Sequence, residues 1–364
     1  MRPLRGSFWV LVLYDVAEQI QLDKLCSLIG VEPMKPQPSF KHPAPEYVRF
    51  ERPPVVERPE PIVTQTGERF EAQIKYFDYG VVSVELKLHF EADWDQLIRL
   101  SNRWILAPET ERLTSELLRS RLPRADAALI QPYPAHLNED YYIIQINEAL
   151  DPAGKPMTAA GMLATHGAEV AQIVRGDSMP LSDAECREVL QTSLSYYPTD
   201  LLVVGWVAAL VYDTPAGAEP TIQLLEYANT QLLEFRHYDE ILTRVFEKVY
   251  DTLEHRGTLR RWRMASEAER LNTLRLDVME LTERTDNAIK FLSDMFYARA
   301  YKVAASRVGV TDYRNLVEEK LRTAGELYEF MTNEFHQARA FVLELMVVAI
   351  LVIELIQLFW GRHS

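Results

Sequence analysis

Cysteine is scarce in this sequence. Its 364 residues include two, Cys26 and Cys186. They lie far apart, each in a helical pattern, which excludes a disulfide framework and a cysteine-ligated metal and suits a reducing compartment. Positive charge is also short, with 39 Lys and Arg against 53 Asp and Glu and a net charge of −14. That balance excludes a general nucleic-acid binder, though it leaves room for one local basic patch. No glycine pattern of the kind that cradles phosphate occurs anywhere. The opening Arg2 and Arg5 precede a short apolar run, SFWVLVLY, without a small-residue cleavage site, so no secretory signal is expected. An Arg- and Ser-rich transit peptide is absent as well. The length fits about two domains with a sizeable core.

What is present falls into three materials. Residues 7–14 are apolar and β-branched and predict a buried strand, and residues 17–29 predict a helix that Gly30 closes. Nine prolines between Pro33 and Pro61 then forbid helix and central strand and predict a long loop, with an edge strand at Tyr47–Phe50. Around Asp78-Tyr79-Gly80, RFEAQIKYF and VVSVELKLHF predict an antiparallel hairpin. Val82, Val84, Leu86 and Leu88 alternate with Ser83, Glu85, Lys87 and His89, which reads as one dry face and one wet face. Helices are expected at 93–104, 108–122, 156–174 and 182–192, and strands at 140–148 and 200–212.

From Pro220 the pattern is helical to the end. The first long helix, 220–254, places Leu224, Tyr227, Leu232, Phe235, Tyr238, Leu242, Val245, Phe246 and Val249 on its buried side. The second, 266–306, repeats apolar residues from Leu271 through Leu274, Val278 and Leu281 to Met295 at steps of three and four, a coiled-coil seam. The third starts at 312 and ends in FVLELMVVAILVIELIQLFW, residues 341–360, where fourteen of twenty positions are Leu, Ile, Val or Phe. Those fourteen favour bilayer insertion by roughly 7 kcal/mol, against a cost of about 3 kcal/mol for Glu354. The expectation is a single-pass C-terminal transmembrane anchor over 340–360. Trp360 would sit at the interface, and the bulk of the chain would lie on the cytoplasmic side, at a bacterial inner membrane. An antiparallel pairing about residue 309 sets charged residues 266–277 beside the start of this segment, so it reaches lipid only by parting from its neighbour near Arg339. Glu354 and Gln357 share a helix face and mark a polar seam between copies. Glu344 lies nearer the end of the span, within reach of Arg339. The alternative for the same segment is a helix buried in a soluble bundle.

Three patterns invite chemistry and do not carry it. VRGDSMP at 174–180 spells the surroundings of a nucleophilic serine, but no lysine base occurs between Ser178 and Lys248. Glu234 and His237 make one Glu-x-x-His on a helix, whereas a di-iron bundle needs two such motifs and two more carboxylates. The dense charges of the second helix, Glu280 to Arg284, Asp286 to Lys290 and Lys290 to Asp294, are four apart, the spacing of surface ion pairs. A basic knot at Arg256, Arg260, Arg261 and Arg263 offers a contact to anionic lipid or RNA.

The order of pieces resembles the YagE family, whose eukaryotic members are the "required for meiotic nuclear division" proteins. VLYDVAEQIQLDKL, YFDYGVVSVEL, LLEFRHYDEILTRVFEKVYDTLE, LRLDVMELTERTDNAIKFLSDMFYARAY and ARAFVLELMVVAILVIELI carry the resemblance along most of the chain. It implies oligomers at a membrane in support of organellar translation, and it brings no catalytic residues with it. The missing presequence and the proline-rich 31–61 stretch depart from the mitochondrial members and suggest a bacterial relative.

The sequence therefore predicts an α+β protein. A mixed α/β domain with a largely antiparallel sheet over 1–215 is followed by an antiparallel helical stalk over 216–339 and the apolar helix. Its expected role is a self-associating scaffold without catalysis, cofactor, metal or small-molecule substrate, with membrane lipid as a partner. The alternatives are a module docking RNA or ribosomes at the membrane, separable by salt-dependent RNA binding, and an enzyme with a site in the α+β domain, separable by a deep pocket with convergent titratable groups.

Overall fold

The first strand is longer than its apolar core. In a computed structural model, which describes residues 3–31, 52–254, 266, 268–280 and 295–360, β1 runs Leu4–Ile20. It is the centre of the sheet, antiparallel to β5 (Val81–Ala92) on one side and to β6 (Leu129–Glu148) on the other. The helix expected from 17 therefore starts later, as α1 (Leu22–Ile29), because Ala17, Gln19 and Ile20 continue the strand opposite Pro132, Ile130 and Leu129. Gly30 ends α1 in the left-handed conformation that the sequence pattern asks of it, at φ +72°.

The sheet order is β2-β4-β5-β1-β6-β8-β7, with β3 (Ile62–Val63) on β4 (Arg69–Tyr76). The edge strand β2 is Val55–Glu57, between Pro54 and Pro59. The edge strand expected at Tyr47–Phe50 lies outside the described residues. The apolar run 200–212 is two strands, β7 (Leu201–Val204) and β8 (Ala208–Tyr212), reversed at Gly205-Trp206. β8 alone pairs in parallel, with β6. The intervening crossover carries α4 (Ala159–Arg175) and α5 (Asp183–Leu190), as a parallel pair requires. With α2 (Trp94–Trp104) and α3 (Pro108–Arg121) these helices cover one face of the sheet. There Phe8, Val10, Val12, Val84, Leu86 and Ile144 form the main core with Trp94, Leu97, Trp104 and Met162. Local chemistry sets the boundaries. Asp93 and Gln96 close a capping box on α2, and Thr158 and Ser182 cap α4 and α5.

The helical region holds α6 (Pro215–Glu254), α7 (268–280), α8 (Met295–Val308) and α9 (Val310–Trp360). The chain is thus α+β, a mostly antiparallel sheet followed by helices. Its contacts divide it into two units, Met1–His237 with Thr285–Tyr313, and Tyr238–Arg284 with Arg314–Ser364. In the second unit the predicted seam residues Leu242, Val245, Val249, Leu271, Leu274 and Val278 are buried, as are Val317, Ala324 and Met331 of α9. Lys320 of α9 is tied to the Asp239 carboxylate and, at 2.7 Å, to Thr243. The ion pairs expected over 280–294 lie, with at least one partner each, outside the described residues.

The transmembrane expectation fails. Among the described residues no helix is long and apolar enough to cross a membrane. The apolar stretch of α9 with described side chains is 341–355, fifteen residues interrupted by Glu344 and Glu354. The single-pass C-terminal anchor and the bacterial inner-membrane placement built on it are withdrawn.

One glycine is fixed by the fold itself. Gly80, at φ +93°, turns the β4–β5 hairpin beneath β1, and a Cβ there would lie 1.8 Å from the Ala17 carbonyl oxygen. The turn also accepts two β1 amides, Val16 N–H on Gly80 O and Ile20 N–H on Asp78 O. Gly80→Ala is expected to cost about 3 kcal/mol or more. Urea denaturation measures this as a lowered midpoint, and an unchanged midpoint would refute the close approach.

Candidate functional site

The second face of the sheet is where chemistry collects. In an antiparallel sheet, cross-strand partners share a face. The register puts Leu11 beside Glu85 and Tyr141, and Leu13 beside Ser83, which pairs in turn with Lys75. Asp15 follows two residues on. The alternation of Ser83 and Glu85 with Val82 and Val84 suggested a wet face. Both are instead buried, at 0% and 3% exposure, because α6 covers them.

The cover is polar too. Glu226, Thr230, Leu233 and His237 are spaced four, three and four apart, so they form one stripe along α6. Each finds a partner on the sheet side. Lys75 Nζ donates to Glu226 Oε2 at 2.6 Å and also to Glu85 Oε1. The Tyr79 hydroxyl donates to Thr230 Oγ1 at 3.0 Å. Leu233 packs with Leu13, Phe77 and Val81 in a small apolar cluster. His237 Nδ1 lies 2.8 Å from Asp15 Oδ2, an ion-pair distance rather than a well-angled hydrogen bond. Tyr133 of β6 stacks on the His237 ring at 4.5 Å. Arg236 of α6 binds the Glu139 carboxylate of β6. On another side of α6, Tyr301 of α8 donates to Gln231 Oε1.

Burial sets the charge states here. Buried in a low-dielectric layer, Glu85 is pushed up to about 7. The Lys75 ammonium opposes that rise, and the Glu226 carboxylate adds to it. Burial alone would depress Lys75, but Glu226 and Glu85 hold its ammonium above the usual range. Asp15 is raised by burial against the pull of His237 and His136. Glu234 is raised well above the carboxylate range by burial and then by Asp15, and its Oε1 has no hydrogen-bond partner. Burial lowers His136, opposed by Asp15. The Tyr79 hydroxyl is raised well above its ordinary value by burial.

The expected site residues fall differently. Glu234 and His237 do lie together on α6, against Asp15, but among the described residues no three His, Cys, Asp or Glu side chains are grouped to hold a metal. Ser178 sits in an exposed loop between α4 and α5, beside an Asp177 carboxylate that accepts the Met179 amide. Glu344 and Glu354 are exposed on α9. Arg339, Gln357 and Trp360 occupy positions in α9, and their side chains lie outside the description. So do Arg256, Arg260, Arg261 and Arg263 altogether. Sequence reasoning missed Lys75, Glu85 and Glu226. Lys75 and Glu85 were members of an ordinary polar alternation and carried no signal of their own, while Glu226 stood on a helix flanked by Leu225 and Tyr227. An open cleft of about 400 Å³ lies elsewhere, lined by Gln65, Thr66, Arg103, Pro108, Glu109 and Arg112. Its two arginines are already paired, Arg103 with Glu68 and Arg112 with Glu116.

The layer can hold α6 in one position on the sheet, and Lys75 is its only ammonium among the described buried groups. Lys75→Met leaves Glu85 and Glu226 buried beside each other without a cation. The expected loss is about 3–5 kcal/mol, seen in chemical denaturation. The triple replacement of Lys75, Glu85 and Glu226 by Met, Leu and Leu should recover most of it. A Lys75→Met midpoint equal to wild type would refute the role of the pair.

Comparison with curated proteins and with solved structures gives no match. A family model described as "Uncharacterized protein MJ0711, N-terminal domain" matches residues 5–219. The matched span holds the sheet half of the layer, with Asp15, Lys75 and Glu85, while Glu226, Glu234 and His237 follow it. Since that span is more than half of the sequence, the chain belongs to the MJ0711 N-terminal domain family.

Proposed function

We propose that this chain is a self-associating scaffold, an α+β platform whose long helices assemble copies of the chain through the 341–355 stretch of α9. One observation carries the reading. All fifteen residues from Phe341 to Leu355 are exposed, and thirteen of them are apolar. A helix that is apolar all round is one that is buried in its working state.

The magnitudes support assembly. Thirteen half-exposed apolar side chains present on the order of 1,000 Å² of apolar surface. The largest patch on an ordinary monomer is about 300–600 Å², and each partner in a standard interface contributes about 800 Å². Burying that surface gains on the order of 25 kcal/mol, which exceeds an association cost of about 4–15 kcal/mol. A second copy supplies the same apolar helix. One helix–helix seam covers only a stripe of roughly 100°, so a dimer leaves most of the circumference wet. Three or more copies cover more of it. Glu344 and Glu354 are then the polar positions of the assembly, and their carboxylates need partners across it.

Sedimentation of the full chain at micromolar concentration is expected to show a trimer or larger species. Leu345→Gln, Val348→Gln and Val352→Gln together remove one stripe of the surface and should weaken association at least about tenfold, with helix content by circular dichroism unchanged. A monomeric full chain, or a triple variant that assembles as the parent does, would refute the proposal.

A further inference from the structure

The layer beneath α6 holds more acid than base. Asp15, Glu85, Glu226 and Glu234 are buried there, each less than a tenth exposed, and the buried bases facing them are Lys75 and His237. With every group ionised, four carboxylates would oppose two cations. A surplus charge in a dry interior costs several kcal/mol, so the layer keeps protons instead. Position shows where they reside. Lys75 touches two carboxylates and neutralises one, and burial beside the Glu226 charge raises Glu85, so Glu85 keeps a proton. His237 pairs with Asp15. Among the described residues no base is paired with Glu234, which faces the charge of Asp15.

We propose that the 221–237 part of α6 is latched to the sheet by these retained protons, so that rising pH unlatches it. The proposal does not depend on the assembly described above, because it concerns contacts within one chain. Among the described residues, β1 brings Asp15, β4 brings Lys75 and β5 brings Glu85, and the turn between β4 and β5 brings Asp78 and Tyr79. β6 brings Tyr133, His136, Glu139, paired with Arg236, and Tyr141, whose hydroxyl donates to the Gly205 carbonyl. α6 itself brings Glu226, Tyr227, Glu234, Arg236 and His237, and the α8 residue in contact is Tyr301.

The sign follows from linkage. Once α6 lifts, Glu85 and Glu234 are hydrated and titrate as ordinary carboxylates. A carboxylate raised in the closed state holds a proton that the open state has lost, so closure is strongest below the open-state value and weakens as pH rises toward the closed-state value. For Glu85 that decline runs from the ordinary carboxylate range up to about 7. Glu234, raised well above that range by burial and Asp15, and Asp15, raised by burial against its histidines, add to the same decline. His136, lowered by burial, runs the other way below its ordinary value and so blunts the effect in mildly acidic solution. The clean window is therefore near neutrality, above the ordinary histidine range, where His136 is uncharged in both states and Glu85 still titrates.

Hydrogen exchange on the full chain tests this. After correction for intrinsic base catalysis, protection of the 221–237 amides should fall by about tenfold per pH unit for each proton released as pH rises through neutrality. The β6–β8 pairing at residues 142–146 should keep its protection and serves as the internal reference. Glu234→Gln and Glu85→Gln should each flatten the fall, and the double variant most of all, since each amide keeps the shape of the group without the titration. A corrected protection that does not change with pH in the wild type would overturn the proposal, whether or not either variant folds. So would a fall that persists undiminished in the double variant.

Discussion

A single ammonium group, that of Lys75, makes the seating of α6 possible. Without it the second face of the sheet would press Glu85 against Glu226 in a dry layer. With it, one hydrogen-bonded ion pair sits at the head of a stripe whose later members, Thr230, Leu233 and His237, each meet a different partner. An apolar stripe could slide along an apolar sheet at little cost. This stripe cannot, because a shift of one helical turn carries Glu226 about 5.4 Å from Lys75 and strands both charges. The layer thus trades desolvation for a unique register, a role that buried polar groups serve in some other packed helices.

Much of the fold was legible because local chemistry and tertiary packing agree. Gly30, Asp93 with Gln96, Thr158 and Ser182 mark helix ends through hydrogen bonds made within a few residues. The 69–90 hairpin carries its turn in its own sequence. The parts that were not legible depend on distant partners. The extension of β1 through Ala17–Ile20 needs β6, more than a hundred residues away, and β6 itself begins with Pro132 and Pro134 in a stretch that no strand pattern marks. The DLLVVGWVAALVY run reads as one strand because its reversal rests on one glycine and one exposed tryptophan.

The candidate site was harder still. Period-two alternation distinguishes the two faces of a strand, but it does not say whether the polar face meets water or a helix. Ser83 and Glu85 were visible as a polar face, and only the presence of α6 decides that they are buried. The Glu234-x-x-His237 pair was visible as a motif, while its meaning came from Asp15, two hundred residues earlier. The apolar end of α9 posed the reverse problem. Its composition was plain, and composition alone favoured lipid over protein as its surroundings.

The central position of β1 has a consequence for how the chain comes into being. This strand is synthesised before both of its neighbours, β5 and β6, whose last residues lie near positions 92 and 148. Until both have been synthesised it is an apolar ribbon with two open edges, the state most prone to pair with the wrong chain. The helix that seals the second face arrives later again. Pairings of such wide sequence separation are slow to form, so the nascent protein passes through a long interval in which this apolar strand waits for the rest of its sheet.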